Sequence, residues 1–380
     1  KSFFLNLVRT LALQKRLVVA QADFTMERRV QASQGEGRAL WSELMRNLAT
    51  KGKPEGGAVR NLVEGWISGL HHEVTQAGGT PDDVKKRIAS DLKELQEHVG
   101  GFEFAQVLGI YYEAHLAGVE EKQAAALRWL RGEFSTKTEA RELLGVRRII
   151  DDDNFYDSLK LLAAFCQKAG YAGLLVGLDE LVVLSHRLPS SRARQANYEA
   201  ILTILNDCLQ GSVSGLGFLL AGTDECLEDK RRGLFSYEAL RTRLAENRFA
   251  TNGIVDFSGP VIRLSSLAPE DLFVLLRNIR HVHAYGDPQK YLVPDDALVA
   301  VLKRANDTLG AEYFKTPRDI VRSFVGLLNV LEQNPNLKWI DCFGEDFLKK
   351  SEGAGSVEEE VARGMVSPES SDEDLVSFKL

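Results

Sequence analysis

Two adjacent carboxylates, Asp179 and Glu180, follow an uninterrupted apolar run in the sequence GLLVGLDEL of residues 173–181. Such a run is typical of a strand buried on both faces, and α/β proteins bind ligands at the carboxyl ends of their parallel strands. Paired acids at that place fit nucleotide hydrolysis. Asp179 would hold Mg²⁺ through a water molecule, and Glu180 would orient and deprotonate the attacking water. The alternative interpretation is a strand that ends in two solvated acids.

A lysine and a serine, Lys1 and Ser2, stand directly before an amphipathic helical pattern and a further apolar run at residues 17–24. This is what remains when a G-x-x-x-x-G-K-[ST] loop is cut just before its lysine, a residue that contacts the β- and γ-phosphates while the hydroxyl binds Mg²⁺. We therefore interpret the chain as truncated within a phosphate-binding loop, with a chance Lys-Ser pair as the alternative. Without the backbone N–H groups of the loop glycines, we expect such a chain to bind nucleotide poorly.

Polar and basic residues farther along the chain fit the same chemistry. Thr223 follows the apolar run of residues 216–222, so its hydroxyl could reach the attacking water or the γ-phosphate; ordinary Gly-Thr-Asp turn chemistry is the alternative. Arginines stabilise the charge that develops on a transferred phosphoryl group, and one can come from a neighbouring subunit. For each arginine the alternative is a solvated surface position. The candidates are Arg231, Arg232, Arg241, Arg243 and Arg318.

Apolar spacing predicts the elements that position these residues. Apolar spacing predicts a helix at residues 3–14, and four apolar runs typical of strands follow it. A helical pattern separates two of the later runs. This alternation of strands and helices predicts a mostly parallel α/β sheet. The four predicted strands are residues 17–24, 172–178, 216–222 and 260–267.

Helical patterns fill the remaining regions. Residues 35–150 contain repeated helical patterns separated by glycine and proline, which predicts a large helical insertion after an early strand. After the last predicted strand only helices follow, each with a proline near its start. They are residues 269–284, 294–305 and 317–331.

The composition excludes several classes of protein. The chain has 380 residues, of which 44% are hydrophobic and 27% charged, as in soluble globular proteins of two or three domains. The formal charge is −7, but residues 346–380 contribute −5, so the nearly neutral remainder excludes a protein that coats nucleic acid by bulk charge. Four widely spaced cysteines predict neither a zinc cluster nor disulfides and favour the reducing cytoplasm. No apolar run is long enough to enter a membrane.

Other possible sites are weaker. His71 and His72 are adjacent on a helical pattern and lack the i, i+4 partner of a metal-binding helix. The pair Ser185 and His186 lacks the G-x-S-x-G turn of a serine nucleophile. Aromatic residues of the insertion are expected to pack in its core, with a partner-binding groove as the alternative. These are Trp41, Trp66, Tyr111, Tyr112 and Trp129.

Long blocks of the sequence, read in order, resemble one family. They include KSFFLNLVRTLA at the start, the block TKTEARELLGVRRIIDDDNFYDSLKLLAAFCQKAGYAGLLVGLDEL, the block FLLAGTDECLEDKRRGLFSYEALRTRLAENRF, and YFKTPRDIVRSFVGLLNVLEQNP near the end. Together they are similar to the BrxD-like, ATP-binding P-loop proteins of bacterial BREX phage-resistance loci. The resemblance covers most of residues 1–345 and leaves out the acidic tail.

The resemblance implies an AAA+-like P-loop ATPase, an α/β fold with a mostly parallel sheet, a helical insertion and a C-terminal helical lid. The implied domains are a P-loop ATPase domain at residues 1–267, with the insertion at 35–150, and a helical lid at 268–345. They are followed by an acidic tail at 346–380, whose composition predicts disorder.

The resemblance also implies a role for each candidate. Lys1 would be the Walker A lysine, Ser2 the Mg²⁺ hydroxyl, and Asp179 with Glu180 the Walker B pair. Residues with the remaining roles lie farther along the chain. They are Thr223 at the sensor 1 position, Arg318 at the sensor 2 position of the lid, and Arg241 or Arg243 as the trans-acting arginine, with the cluster 230–232 as a rival.

The expected function is ATP binding and hydrolysis, with Mg²⁺, that couples nucleotide state to the assembly or remodelling of an anti-phage defence complex. The resemblance implies a cytoplasmic homo-oligomer that works beside a helicase or another BREX component, and on DNA. The alternative is a non-catalytic, nucleotide-locked scaffold or adaptor that recruits a partner protein or DNA through the helical insertion.

Overall fold

The computed structural model describes residues 1–247, 256–264, 267–309 and 317–342. The chain divides into two compact units, Lys1–Pro260 and Val261–Gly355, which are described separately below. The predicted disorder of residues 346–380 concerns a segment outside the described residues. The predicted domain boundaries at 267 and 345 therefore stay predictions.

The first unit is built on a three-stranded parallel sheet in the order β1 (Leu17–Asp23), β2 (Gly173–Asp179) and β3 (Leu216–Leu220). β1 and β2 pair along their whole lengths, from Leu17 opposite Gly173 to Asp23 opposite Asp179. β2 is hydrogen-bonded on both sides, and its Val176 and Leu178 are fully buried. The prediction that residues 172–178 form a strand buried on both faces is confirmed.

The outer parts of the predicted sheet differ from the sequence-based expectation. In the described part of the chain β3 pairs only with β2, and only its first residue, Leu216, is fully buried, so the prediction of a strand buried on both faces was wrong for residues 216–222. Residues 260–264 and 267 form no strand, and residues 265–266 lie outside the description. Ile262 and Leu264 are 47% and 48% exposed, because no neighbouring strand covers them.

Helices flank the sheet. α1 (Ser2–Gln14) packs Ala12 and Leu13 against Val19 of β1, as its apolar spacing predicts. α8 (Phe155–Lys168), which leads into β2, also packs against the sheet. α9 (Ser191–Leu209) precedes β3 in the chain. Two short helices, α10 (Asp224–Glu228) and α11 (Glu238–Arg243), follow β3.

The segment of residues 35–150, all of which the structure describes, is mainly helical. Its helices are α2 (Glu36–Arg46), α3 (Val59–Gln76), α4 (Pro81–Gln96), α5 (Gly101–Ala117), α6 (Glu120–Leu130) and α7 (Lys137–Leu144). α4 shows why they begin where they do. Thr80 and Asp83 form a capping box around Pro81, which has no N–H to leave unsatisfied.

The aromatic residues of the insertion pack in its core, as expected. All five are at most 6% exposed. Their polar atoms have partners: the N–H groups of Trp41 and Trp66 donate to Leu130 O and Asp91 Oδ2, at 2.9 and 3.2 Å. The indole N–H groups of these rings therefore remain hydrogen-bonded when buried. A buried donor without a partner would lower the free energy of unfolding by about 1–3 kcal/mol.

The second unit is helical in its described part. It contains α12 (Pro269–His283), α13 (Asp295–Leu309) and α14 (Pro317–Gln333), which confirms the three predicted helices with small shifts at their ends. Leu272 and Leu276 of α12 pack with Ile320 and Phe324 of α14 in a shared core. The buried Arg280 donates from Nη2 to Asp295 Oδ1 at 2.6 Å and from Nη1 to Val293 O at 2.9 Å.

Among the described residues, no helix combines the length and apolar character that crossing a membrane requires. The same residues contain no group of three or more side chains that could hold a metal ion by histidine, cysteine, aspartate or glutamate. The four cysteines all lie within the described residues and form no disulfide.

Gly173 gives a test of the contact between β2 and the turn before β3. Its φ is +149°, and an added Cβ would lie 2.3 Å from Gly215 O, which accepts the Leu174 N–H. Gly173→Ala should lower the free energy of unfolding by about 2 kcal/mol or more, because backbone on both sides must shift. Urea unfolding followed by circular dichroism measures this change.

The matched control is Gly69→Ala in α3, where an added Cβ meets nothing within 4 Å. This substitution should instead stabilise the protein by about 0.5–1 kcal/mol through helix propensity. Equal unfolding midpoints for the two variants would contradict the close approach at Gly173.

Candidate functional site

The side chain of Lys1 lies between the two predicted acids at the carboxyl end of β2. Its Nζ is 2.9 Å from Asp179 Oδ1 and 3.8 Å from Glu180 Oε1. All three side chains are partly buried, with between 14% and 25% of their surface exposed. Lys1 and the Asp179–Glu180 pair are separated by more than 170 residues in the sequence, and they form a single charged cluster in the structure.

Backbone hydrogen bonds hold the carboxyl ends of the three strands together around this cluster. The Phe24 N–H, just after β1, donates to Asp179 O at 3.0 Å. On the other side, Ala221 N–H donates to Leu178 O at 2.9 Å, and Leu181 N–H donates to Ala221 O at 3.1 Å. The segments that follow β1, β2 and β3 are thus fixed next to one another.

Glu180 has an unusual backbone conformation. Its φ is +59°, in the left-handed region that non-glycine residues rarely adopt, and its N–H donates to Asp179 Oδ1 at 2.7 Å. Such conformations cost about 1 kcal/mol or more and cluster at functional sites. The turn at Glu180 ends β2 and directs the two successive carboxylates towards the same lysine.

A third carboxylate, Asp23, belongs to this edge of the sheet and was not among the residues predicted for the site. It ends β1 and pairs in register with Asp179. Partial desolvation, and then the negative charge of Asp179, raise the pKa of Asp23, although Arg28 and Lys1 oppose the change. In the sequence, Asp23 is recognisable as the acid that ends the apolar run LVVAQAD. Only the pairing of β1 with β2 shows that it lies beside Asp179.

The donor set fits a nucleotide with its metal ion. A lysine ammonium is the group that phosphate oxygens require, and carboxylate and hydroxyl oxygens are the ligands that Mg²⁺ prefers. Ser2 is exposed and is the first residue of α1, directly after Lys1. The side chains present at the end of β2 therefore suit ATP and Mg²⁺, and the same position could not hold a soft metal that requires thiolates.

The other predicted site residues have different surroundings. Thr223 follows β3 at the start of α10, and its Oγ1 lies 3.5 Å from Cys226 Sγ. In α11, Arg241 pairs with Glu238, and Arg243 donates to the Asn206 side chain of α9. Arg318, the second residue of α14, belongs to the second unit. Of the predicted set, the structure brings together Lys1, Asp179 and Glu180.

Comparison with known proteins agrees with this geometry. A family model described as BREX system ATP-binding protein BrxC/D matches residues 1–346. The chain belongs to this family. A comparison with curated proteins and a comparison with solved structures each gave no match. In this BREX system ATP-binding protein, Lys1, Asp179 and Glu180 form a cluster whose side chains are suited to bind a nucleotide.

In this BREX protein, Ser185 and His186 form a buried network that does not serve as a nucleophilic site. Ser185 Oγ is 2.8 Å from His186 Nδ1, and His186 Nε2 is 3.5 Å from Asp229 Oδ2. Ser185 is fully buried, so no substrate reaches its hydroxyl. Burial lowers the pKa of His186, although Asp229 opposes this. The network instead ties the turn after β2 to the segment after α10.

The raised pKa of Asp23 predicts how stability depends on pH. As pH rises, the unfolded chain ionises Asp23 first, at its ordinary value of 3.8, and the folded chain follows at a higher pH. Wild-type stability is therefore reduced over this interval, and Asp23→Asn should gain stability relative to wild type between about pH 4 and pH 7. The gain should stay below about 1 kcal/mol, because the side chain is exposed and water screens its charge.

Urea midpoints across this pH range measure the difference. Asp153→Asn, which changes an exposed carboxylate outside the cluster, serves as the charge-matched control. A difference for Asp23→Asn that is independent of pH, or that shrinks as pH rises, would be incompatible with the raised pKa.

Proposed function

We propose that this BREX protein hydrolyses ATP at the Lys1, Asp179 and Glu180 cluster and couples its nucleotide state to the assembly or remodelling of a defence complex. The observation that carries the proposal is the lysine at 2.9 Å from Asp179 and 3.8 Å from Glu180. This arrangement supports the proposal because phosphoryl transfer uses a cation for the phosphates, an acid for Mg²⁺ and a residue that positions the attacking water, and α/β sheets bind ligands at the carboxyl ends of their strands.

Lys1 would bind the β- and γ-phosphates. In the structure its ammonium is paired with carboxylates, so a phosphate must replace Asp179 as its nearest anion. This exchange conserves the charge at Nζ and leaves Asp179 with an oxygen available for another cation. Binding of the nucleotide thereby prepares the acid for its own role.

Ser2 and Asp179 would hold Mg²⁺, which neutralises charge on the phosphates when bound. Glu180 would accept the proton of the attacking water. It is the residue after the metal-binding acid, and its left-handed backbone places a second carboxylate beside the first. A protein that only bound nucleotide would need the first acid but not the second, so Glu180 favours hydrolysis over the scaffold alternative.

Residues outside the cluster would complete the reaction. Thr223 would contact the attacking water or the γ-phosphate, and Arg318 would respond to nucleotide from the lid. Arg241 or Arg243 would act on the site of a neighbouring subunit in a homo-oligomer. Both arginines lie on α11, at the surface of the first unit, where a second copy of the chain can reach them.

The proposed setting is the bacterial cytoplasm, in an AAA+-like assembly. Partners would be a defence-system helicase or another BREX component, and DNA. The insertion at residues 35–150 would supply the surface for such a partner, since it is a helical layer of its own packed around an aromatic core.

Glu180→Gln separates hydrolysis from binding. The amide keeps the size of the side chain but cannot accept a proton, so kcat for ATP should fall about 100-fold or more while the Kd for ATP changes little. Phosphate release and equilibrium titration with Mg·ATP measure the two quantities on the same samples.

Glu113→Gln on α5 is the matched control, since Glu113 is exposed and belongs to the insertion. Its kcat should equal that of wild type. If Glu180→Gln leaves a measurable turnover unchanged, or if wild type binds ATP without turnover, the nucleotide-locked scaffold is the better description.

The shared arginine predicts that activity depends on protein concentration. Turnover per subunit should rise with concentration as oligomers form, and Arg241→Ala or Arg243→Ala should lower kcat about 1,000-fold or more while leaving ATP binding intact. Arg141→Ala on α7 removes an exposed arginine elsewhere and should have no effect. Turnover per subunit that stays constant over a wide range of concentrations would exclude an arginine acting between subunits.

A further inference from the structure

A cleft of about 570 Å³ lies at the other end of the sheet from the proposed ATP site. It is formed by α4 of the insertion, by the last turns of α8, and by the loop of residues 211–215 that precedes β3. α8 and this loop lead into the amino-terminal ends of β2 and β3, whereas Lys1 and the acids gather at the carboxyl ends. The two sites are therefore distinct.

A buried carboxylate organises the cations of this cleft. Asp91 is only 5% exposed and accepts a hydrogen bond from Trp66 at 3.2 Å. Arg87 Nε and Lys168 Nζ stand 3.6 and 3.7 Å from its Oδ1, beyond normal hydrogen-bond distances. Asp91 thus attracts two cations of the cleft by charge.

The closest partner of Lys168 is an exposed carboxylate. Lys168 Nζ lies 2.6 Å from Glu94 Oε2, and the Glu94 side chain is 61% exposed. Lys168 lowers the pKa of Glu94 by its hydrogen bond and its charge. Water screens the exposed Glu94 carboxylate, so a ligand anion of higher charge can displace Glu94 from the lysine.

A third cation and two hydroxyls face the same space. Lys160 lines the cleft and is paired at 2.7 Å with Asp157. On the opposite wall, Ser212 and Ser214 are exposed, and Ser214 Oγ meets Gln167 Oε1 only at 3.5 Å. Hydroxyls that are bound this weakly can donate to a ligand.

Glycines at both ends shape the serine loop. Gly211 and Gly215 each have a φ of +70°, a conformation that costs glycine nothing, so the chain turns sharply at both ends of the segment SVS. The two serines are thereby presented opposite the cations of α4 and α8. Arginine, lysine and hydroxyl donors that converge from three segments match the oxygens of a phosphoryl group.

We propose that this cleft binds a small phosphorylated molecule, with its phosphoryl group held by Arg87, Lys168 and the serine loop. The volume lies within the range of about 300–1,000 Å³ that small-molecule sites occupy, so the organic part of the ligand has room beside the phosphoryl group. A nucleic-acid backbone is the less suitable occupant, because it requires a positively charged groove that continues along the surface, whereas these cations alternate with Asp91, Glu94 and Asp157.

Calorimetric titration of the whole protein with ribose 5-phosphate, and with ribose as the unphosphorylated control, tests the proposal. Ribose 5-phosphate should bind with a Kd of about 1 mM or tighter, and ribose should not. Lys168→Gln should weaken binding about tenfold or more, and Arg87→Gln should do the same. Each variant leaves the other cation beside the buried Asp91. Lys85→Gln, which removes an exposed lysine of α4 that does not line the cleft, should leave the Kd unchanged.

The Lys1→Ala variant distinguishes this site from the proposed ATP site. The inference requires that Lys1→Ala retain ribose 5-phosphate binding. Loss of binding in Lys1→Ala but not in Lys168→Gln or Arg87→Gln would overturn the inference and support the proposed ATP site. Equal binding of ribose, no binding of either sugar, or Lys168-dependent binding of a DNA duplex alone would also overturn it.

Discussion

The parallel, in-register pairing of β1 with β2 is the constraint on which the candidate site depends. Seven consecutive residue pairs, from Leu17 with Gly173 to Asp23 with Asp179, join strands that the whole helical insertion separates in sequence. A shift of one residue would move Asp179 out of register with Asp23. The insertion can therefore be large without cost to the site, provided that its two ends return to neighbouring strands.

Electrostatics at the carboxyl edge of the sheet explains why a cation is held there. Asp23, Asp179 and Glu180 follow one another across two adjacent strand ends. Desolvation, and then the negative charge of Asp179, raise the pKa of Asp23. Lys1 reduces this repulsion by lying against two of the three acids. Under the proposed function the same excess of negative charge attracts Mg²⁺ once phosphates engage the lysine. A cluster with one ammonium and three carboxylates is thus better suited to a metal-bound phosphate than to a free one.

Much of the fold follows from local patterns in the sequence. Apolar spacing predicts α1, β1, β2 and the helices of the insertion, because each has enough residues for a clear period and a glycine, proline or cap at its ends. The proximity of Lys1 to Asp179 was also predictable, since one precedes the first helix and the other ends a strand of a parallel sheet. These predictions require only the identity of neighbouring elements, not their detailed packing.

Other features depend on tertiary contacts that a local pattern does not contain. The burial of β3 depends on whether another strand lies beside its outer edge. The apolar sequence of residues 260–267 does not by itself show whether these residues pair as a strand. Asp23 joins the site only through its register with β2, and the left-handed turn at Glu180 has no glycine to signal it.

The position of α8 links the two ends of the sheet and gives the insertion a role in the geometry of the site. One side of α8 lines the cleft with Lys160, Gln167 and Lys168, opposite α4 of the insertion. Only four residues separate the end of α8 from β2, the strand that carries Asp179. A molecule that holds α4 and α8 together therefore acts on the element that leads directly into the catalytic strand of the proposed ATPase. Because close-packed interiors have low compressibility and transmit strain, we expect a shift of α4 against α8 to be transmitted to β2.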